Sequence, residues 1–173
     1  MVRPSAWWVP GFVLAFAACG DPAPDAAIAA LGPEDAFVPV GPLHRPGQPC
    51  LLCHKQGGRA TAFSLAGTVY VNGTGQTPLA NAEVIILDSG QGTFSAYTNC
   101  AGNFFVLPSD YAPSYPIFLT LRAAGVQRDM DTPSYREGSC GTCHTPTIGP
   151  ASPGPVYLLN DPSMKVPPAN QCN

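Results

Sequence analysis

From residue 64 onward, apolar positions recur at every second residue and short turn-forming clusters interrupt them at near-regular intervals. Gly67-Thr68-Val69-Tyr70-Val71 opens the pattern. Its β-branched and aromatic side chains suit a pleated, half-buried surface. Asn72-Gly73-Thr74-Gly75 then breaks the run with residues that favour turns. Runs at 82–87, 94–98, 103–107, 115–122 and 126–130 repeat the arrangement, and a seventh, 156–159, follows a long Pro- and Gly-rich stretch. The 115–122 run is the most apolar and is expected inside a sheet. Short strands at this spacing predict a mainly β chain, an antiparallel sandwich over 64–130 with irregular loops at both flanks.

Composition supports that picture. The chain has 173 residues, enough for one modest domain plus tails. Pro (21) and Gly (18) are abundant while charged residues are only 11%, which favours turns and short strands over long helices. A net charge of −3 gives no basic footprint, so no nucleic-acid partner is expected.

The amino terminus reads as an export signal over 1–18. Arg3 supplies a positive start and residues 6–18 an apolar run too short to span a bilayer. The run ends Ala15-Phe16-Ala17-Ala18-Cys19-Gly20, which resembles the lipobox of bacterial lipoproteins, with Phe16 where Leu is usual. The resemblance implies an acylated Cys19 and a membrane anchor. Ordinary cleavage after Ala17 is the other reading and leaves Cys19 a spare thiol. Both readings export the chain. Residues 19–42, rich in Ala and Pro, are expected to be a tether, with a turn or two of helix over 26–31 stopped by Pro33.

The chemistry sits in two pentamers, Cys50-Leu51-Leu52-Cys53-His54 and Cys140-Gly141-Thr142-Cys143-His144. Each reads C-x-x-C-H, the attachment pattern of a c-type haem. Two thiols at this spacing reach the two vinyl groups of one porphyrin, and the following histidine offers its imidazole to the iron. Two covalent haems are therefore expected, in segments 43–63 and 131–173, with His54 and His144 as proximal ligands. His44 and Met130 are the candidate distal ligands, and Met164 a further one. The same thiols could instead hold one four-thiolate zinc, form local disulfides, or act as a thioredoxin-like redox pair. Zinc would make the chain a metal-stapled binding module with no redox role.

Seven cysteines divide into Cys19, four in the pentamers, and two others. In an oxidising compartment Cys100 and Cys172 are expected to pair, tying the tail over 162–173 to the strands. Two free thiols are the alternative.

The stretch Gly67-x-Val69…Pro78-Leu79-x-x-Ala82-x-Val84-x-x-Leu87…Thr98-x-x-x-Gly102-x-Phe104 resembles the carboxypeptidase regulatory-like domain, over about residues 64–128. The resemblance implies a transthyretin-like sandwich that serves as a structural or binding module, with no catalytic residues to transfer. Cys100 departs from the pattern. Strand parity adds a spatial expectation: after six antiparallel strands the chain returns to the pole it left, so both pentamers lie at one end.

Together these readings predict an exported dihaem c-type cytochrome in the cell envelope, periplasmic or at the cell surface, lipid-anchored. It would exchange electrons with a redox protein or an extracellular acceptor. No catalytic constellation for organic substrates stands out, so no enzyme is expected. A small haem peroxidase, with one iron five-coordinate, is the enzymatic alternative.

Overall fold

The computed structural model describes residues 22–38 and 40–172. The expected signal segment 1–18 and the expected lipidation site Cys19 lie outside the described residues.

Seven strands form: β1 (Leu65–Asn72), β2 (Glu83–Asp88), β3 (Thr93–Tyr97), β4 (Asn103–Val106), β5 (Ile117–Ala123), β6 (Val126–Asp129) and β7 (Val156–Leu159). They make two sheets, ordered β4-β1-β7 and β3-β2-β5-β6. The apolar β5 lies inside its sheet, as its composition demands.

The chain is mainly β but not wholly antiparallel. Strand β7 runs parallel to β1, with Val69 opposite Val156 and Tyr70 opposite Tyr157. A parallel neighbour needs a long connection, and here residues 73–155, which carry β2–β6 and the second pentamer, join the two strands.

Both sheets contribute to one core. Leu65, Leu79, Ile86 and Ile117 are at most 1% exposed and pack with Val69, Val84 and Phe104. Burying each large aliphatic side chain contributes about 1.5–3 kcal/mol.

Strand β1 departs from simple alternation: it is buried along its length except at Asn72. One face, with Leu65, Val69 and Val71, belongs to the core. The flanking loops cover the other. Ala66 N–H donates to the Gly138 carbonyl (2.9 Å), and Gly47 N–H donates to Thr68 Oγ1 (2.7 Å). A strand covered on both sides must be apolar on both sides, which explains why its pattern blurs.

Helix α1 (Pro22–Ala30) precedes the first pentamer. It ends at Gly32, whose positive φ of 74° suits a glycine at a helix terminus. The segment expected as a tether therefore does more than span distance. Asp25 pairs with Arg59 (2.6 Å), Glu34 pairs with Arg45 (3.2 Å), and the Gly32 carbonyl accepts from Arg45 Nη2 (3.0 Å). These contacts lay it over the first cysteine loop. Among the described residues no helix is long and apolar enough to cross a membrane.

Cys100 and Cys172 form the expected disulfide, with Cα atoms 5.4 Å apart. The tail is also held by hydrogen bonds. Buried Asn170 donates through Nδ2 to the Ala80 carbonyl (2.9 Å) and accepts at its own carbonyl from Ala80 N–H (3.2 Å). Val166 enters the core beside it.

Candidate functional site

The two pentamers fold alike although their intervening residues differ. In the first, Cys50–Leu52 forms a 3-10 turn and His54 N–H donates to the Cys50 carbonyl (3.0 Å). In the second, helix α2 (Cys140–Cys143) forms one turn and His144 N–H donates to the Cys140 carbonyl (2.8 Å). One turn closed by this bond places both thiols and the imidazole along one short arc.

Each histidine is oriented from behind. His54 Nδ1 bonds the Thr61 carbonyl (2.7 Å), and His144 Nδ1 bonds the Gly154 carbonyl (3.0 Å). A carbonyl accepts only, so Nδ1 is the donor, and in the neutral imidazole Nε2 then carries the lone pair. His44 has the same arrangement, with Nδ1 on the Gly41 carbonyl.

Each turn opens on its own cleft. The first, about 270 Å³, is lined by Cys50, Cys53, His54, His44, Phe63 and Phe105 among others. The second, about 310 Å³, is lined by Cys140, Cys143, His144, Met130, Ser139 and Tyr157 among others. His44 and Met130 thus each line the same cleft as a motif histidine. The rings of His44 and His54 lie with centres 5.8 Å apart. Met164 lies elsewhere, half exposed beside Asn160 and Asp161.

The clefts are neighbours. Leu65 lines the second and Ala66 the first, and Phe104 lines both. Successive residues of β1 point to opposite sides, so the strand divides the clefts. Ser139 bridges to Ala66, and a Cβ added at Gly141 would lie 2.6 Å from the Gln48 carbonyl oxygen. The two pentamers therefore meet, as strand parity requires.

Burial holds two of the four motif thiols, Cys50 and Cys140, in their neutral form. Burial, followed by the neighbouring Cys50, pushes the Cys140 thiol up to about 12, and burial raises the Cys50 thiol. Among the described residues no group of three or more His, Cys, Asp or Glu is placed to hold a metal ion. Ser139 Oγ is buried without a hydrogen-bond partner on the wall of the second cleft. Such a group costs stability unless something pairs with it, which suits a polar edge of an occupant.

Several contributing residues left no mark in the sequence pattern. Phe63 stacks on His54 (4.1 Å between centres) and on Phe105 (4.8 Å). Phe63 follows the pentamer by nine positions in an irregular loop, where no period marks a side chain as facing the ligand. Asn103 is buried at the start of β4, and only its polarity beside apolar Phe104 signals a special role.

Compared with known protein families, curated proteins and solved structures, the chain matches none of them.

Proposed function

We propose that the chain is an exported dihaem c-type cytochrome that carries electrons at the cell envelope. One observation carries this reading: the same one-turn pentamer occurs twice, each with a histidine tethered at Nδ1 and each opening on a cleft that holds a further axial candidate. Cys50 and Cys53 would hold one haem, and Cys140 and Cys143 the other. Each thiol adds across a vinyl group, its hydrogen passing to carbon, so no oxidant is required. The haem supplies one-electron chemistry when bound. His54 and His144 present Nε2 as proximal ligands, and His44 and Met130 stand as distal candidates. The clefts lie near the lower end of small-molecule pocket volumes, so an occupant of porphyrin size remains partly in solvent. That exposure suits exchange of electrons with a redox protein or an extracellular acceptor.

The strands serve as a transthyretin-like scaffold of the carboxypeptidase regulatory-like kind, and Cys19 carries the lipid. The glycine at the end of the resemblance supports the scaffold reading. Gly102 adopts a φ of 72°, and its carbonyl accepts from Val69 N–H (2.8 Å), locking the turn before β4 onto β1.

Produced in a host with a cytochrome-maturation system, the protein is expected to exceed the mass of its processed and acylated polypeptide by two haem groups. Replacing Cys50 and Cys53 by alanine removes one, and replacing Cys140 and Cys143 removes the other. Stoichiometric zinc with no haem stain on a denaturing gel would sink the reading. Cys19→Ser is expected to move the protein from the membrane to the soluble fraction. A wild-type protein already soluble would rule out the anchor while leaving the haems untouched.

A further inference from the structure

Strands β1 and β4 carry a polar pair at a place where an apolar pair would also pack. Thr68 and Asn103 face each other in register and are 5% and 7% exposed. Thr68 Oγ1 donates to Asn103 Oδ1 (2.7 Å). Buried polar groups are costly unless paired, and same-shaped apolar substitutes can be nearly neutral. The remaining hydrogen-bonding capacity of the two side chains goes to one loop. Asn103 Nδ2 donates to the carbonyls of Pro42 (3.2 Å) and His44 (3.0 Å), while Thr68 Oγ1 accepts from Gly47 N–H (2.7 Å). Asn99 Nδ2 adds a bond to the Pro42 carbonyl (2.6 Å).

Residues 42–47 are thus gripped on both sides of His44 and at His44 itself. Its side chain lines the first cleft with Nδ1 fixed, and its ring centre lies 5.8 Å from that of His54, tilted by 40°. Two imidazoles ligating one metal from opposite sides would have centres about 6 Å apart, since each metal–nitrogen bond spans about 2 Å and the ring centre lies about 1 Å behind the nitrogen.

We propose that Asn103 is the positioning residue that holds His44 as the second axial ligand of the first haem. The inference rests on the dihaem reading. A clamped histidine stays on the iron and closes that site to small ligands, which suits electron transfer and not peroxidase chemistry. The second site faces Met130, and methionine ligation raises a haem potential. With that ligation the two sites would be unequal, and electrons would run downhill from the first to the second.

The test uses holoprotein carrying both haems, followed by electron paramagnetic resonance, carbon monoxide uptake and potentiometric titration. Wild type shows two distinct low-spin signals and two resolved one-electron waves. His44→Ala loses one low-spin signal, and added imidazole restores it. Asn103→Leu keeps both covalent haems by mass, but a fraction of the first becomes high-spin and binds carbon monoxide. Thr68→Val does the same to a smaller extent, and it decides alone if Asn103→Leu fails to fold. Folded variants whose first haem stays fully low-spin, inert to carbon monoxide and unshifted in potential would overturn the positioning role. Unchanged spin in His44→Ala overturns the ligand assignment while two haems by mass leave the dihaem reading intact. A protein without haem overturns that reading instead.

Discussion

Replacing Cys100 with serine is expected to lower the melting temperature by roughly 10 °C. The disulfide joins residues 72 positions apart. Cross-linking a loop of that length restricts the unfolded chain by about 4 kcal/mol in the chain-entropy account. A chain of this size shifts by about 2–4 °C per kcal/mol. The loss should stop there, because the tail keeps its other anchors: Asn170 on Ala80, Asn81 Nδ2 on the Ala169 carbonyl (2.7 Å), and Val166 in the core. Both clefts are lined by other residues, so any haem spectrum should be unaltered. Differential scanning calorimetry with and without a phosphine reductant measures the effect on wild type as well. A change below about 2 °C would mean that these contacts hold the tail without the bridge.

Gly141→Ala is the sharpest probe of the junction between the pentamers. Gly141 needs no special backbone angle; it needs space. A Cβ there would lie 2.6 Å from the Gln48 carbonyl oxygen, 2.7 Å from its carbon and 2.9 Å from Pro49 nitrogen. All three are backbone atoms, so the loops must part. Overpacking of this kind costs about 1–3 kcal/mol, a melting shift of roughly 3–10 °C. Position two of a C-x-x-C-H pentamer bears no ligand, so the proposed haem count should stay at two while magnetic coupling between the centres weakens. An unchanged melting temperature together with unchanged coupling would show that the junction is not the contact that sets their spacing. Gly57→Ala is the control for glycine removal in a flanking loop, because a Cβ there meets nothing within 4 Å, although its φ of 71° adds local strain.

The strand positions were legible because period-two patterning and turn clusters are local properties. All seven runs became strands, with ends shifted by a residue or two where pairing, not composition, sets the boundary. The pentamers were legible for a related reason: two thiols and an imidazole spaced within one turn are a local property of the chain. The pairing of Cys100 with Cys172 followed from counting thiols.

What lay beyond the sequence depends on contacts between distant segments. The parallel pairing of β7 with β1 is set by where the crossover can return, and no feature of Val156-Tyr157-Leu158-Leu159 encodes direction. The docking of 22–34 over the first loop depends on isolated charges, Asp25 with Arg59 and Glu34 with Arg45, whose partners lie 34 and 11 residues away. Thr68 and Asn103 look like ordinary strand residues until β1 and β4 bring them into register under the His44 loop. Residue types and their spacing along the chain thus determined the strands, the two pentamers and the disulfide. The tertiary structure decided that the two sites touch and that His44 and Met130 each line one of them, because such proximity is a property of chain closure and packing.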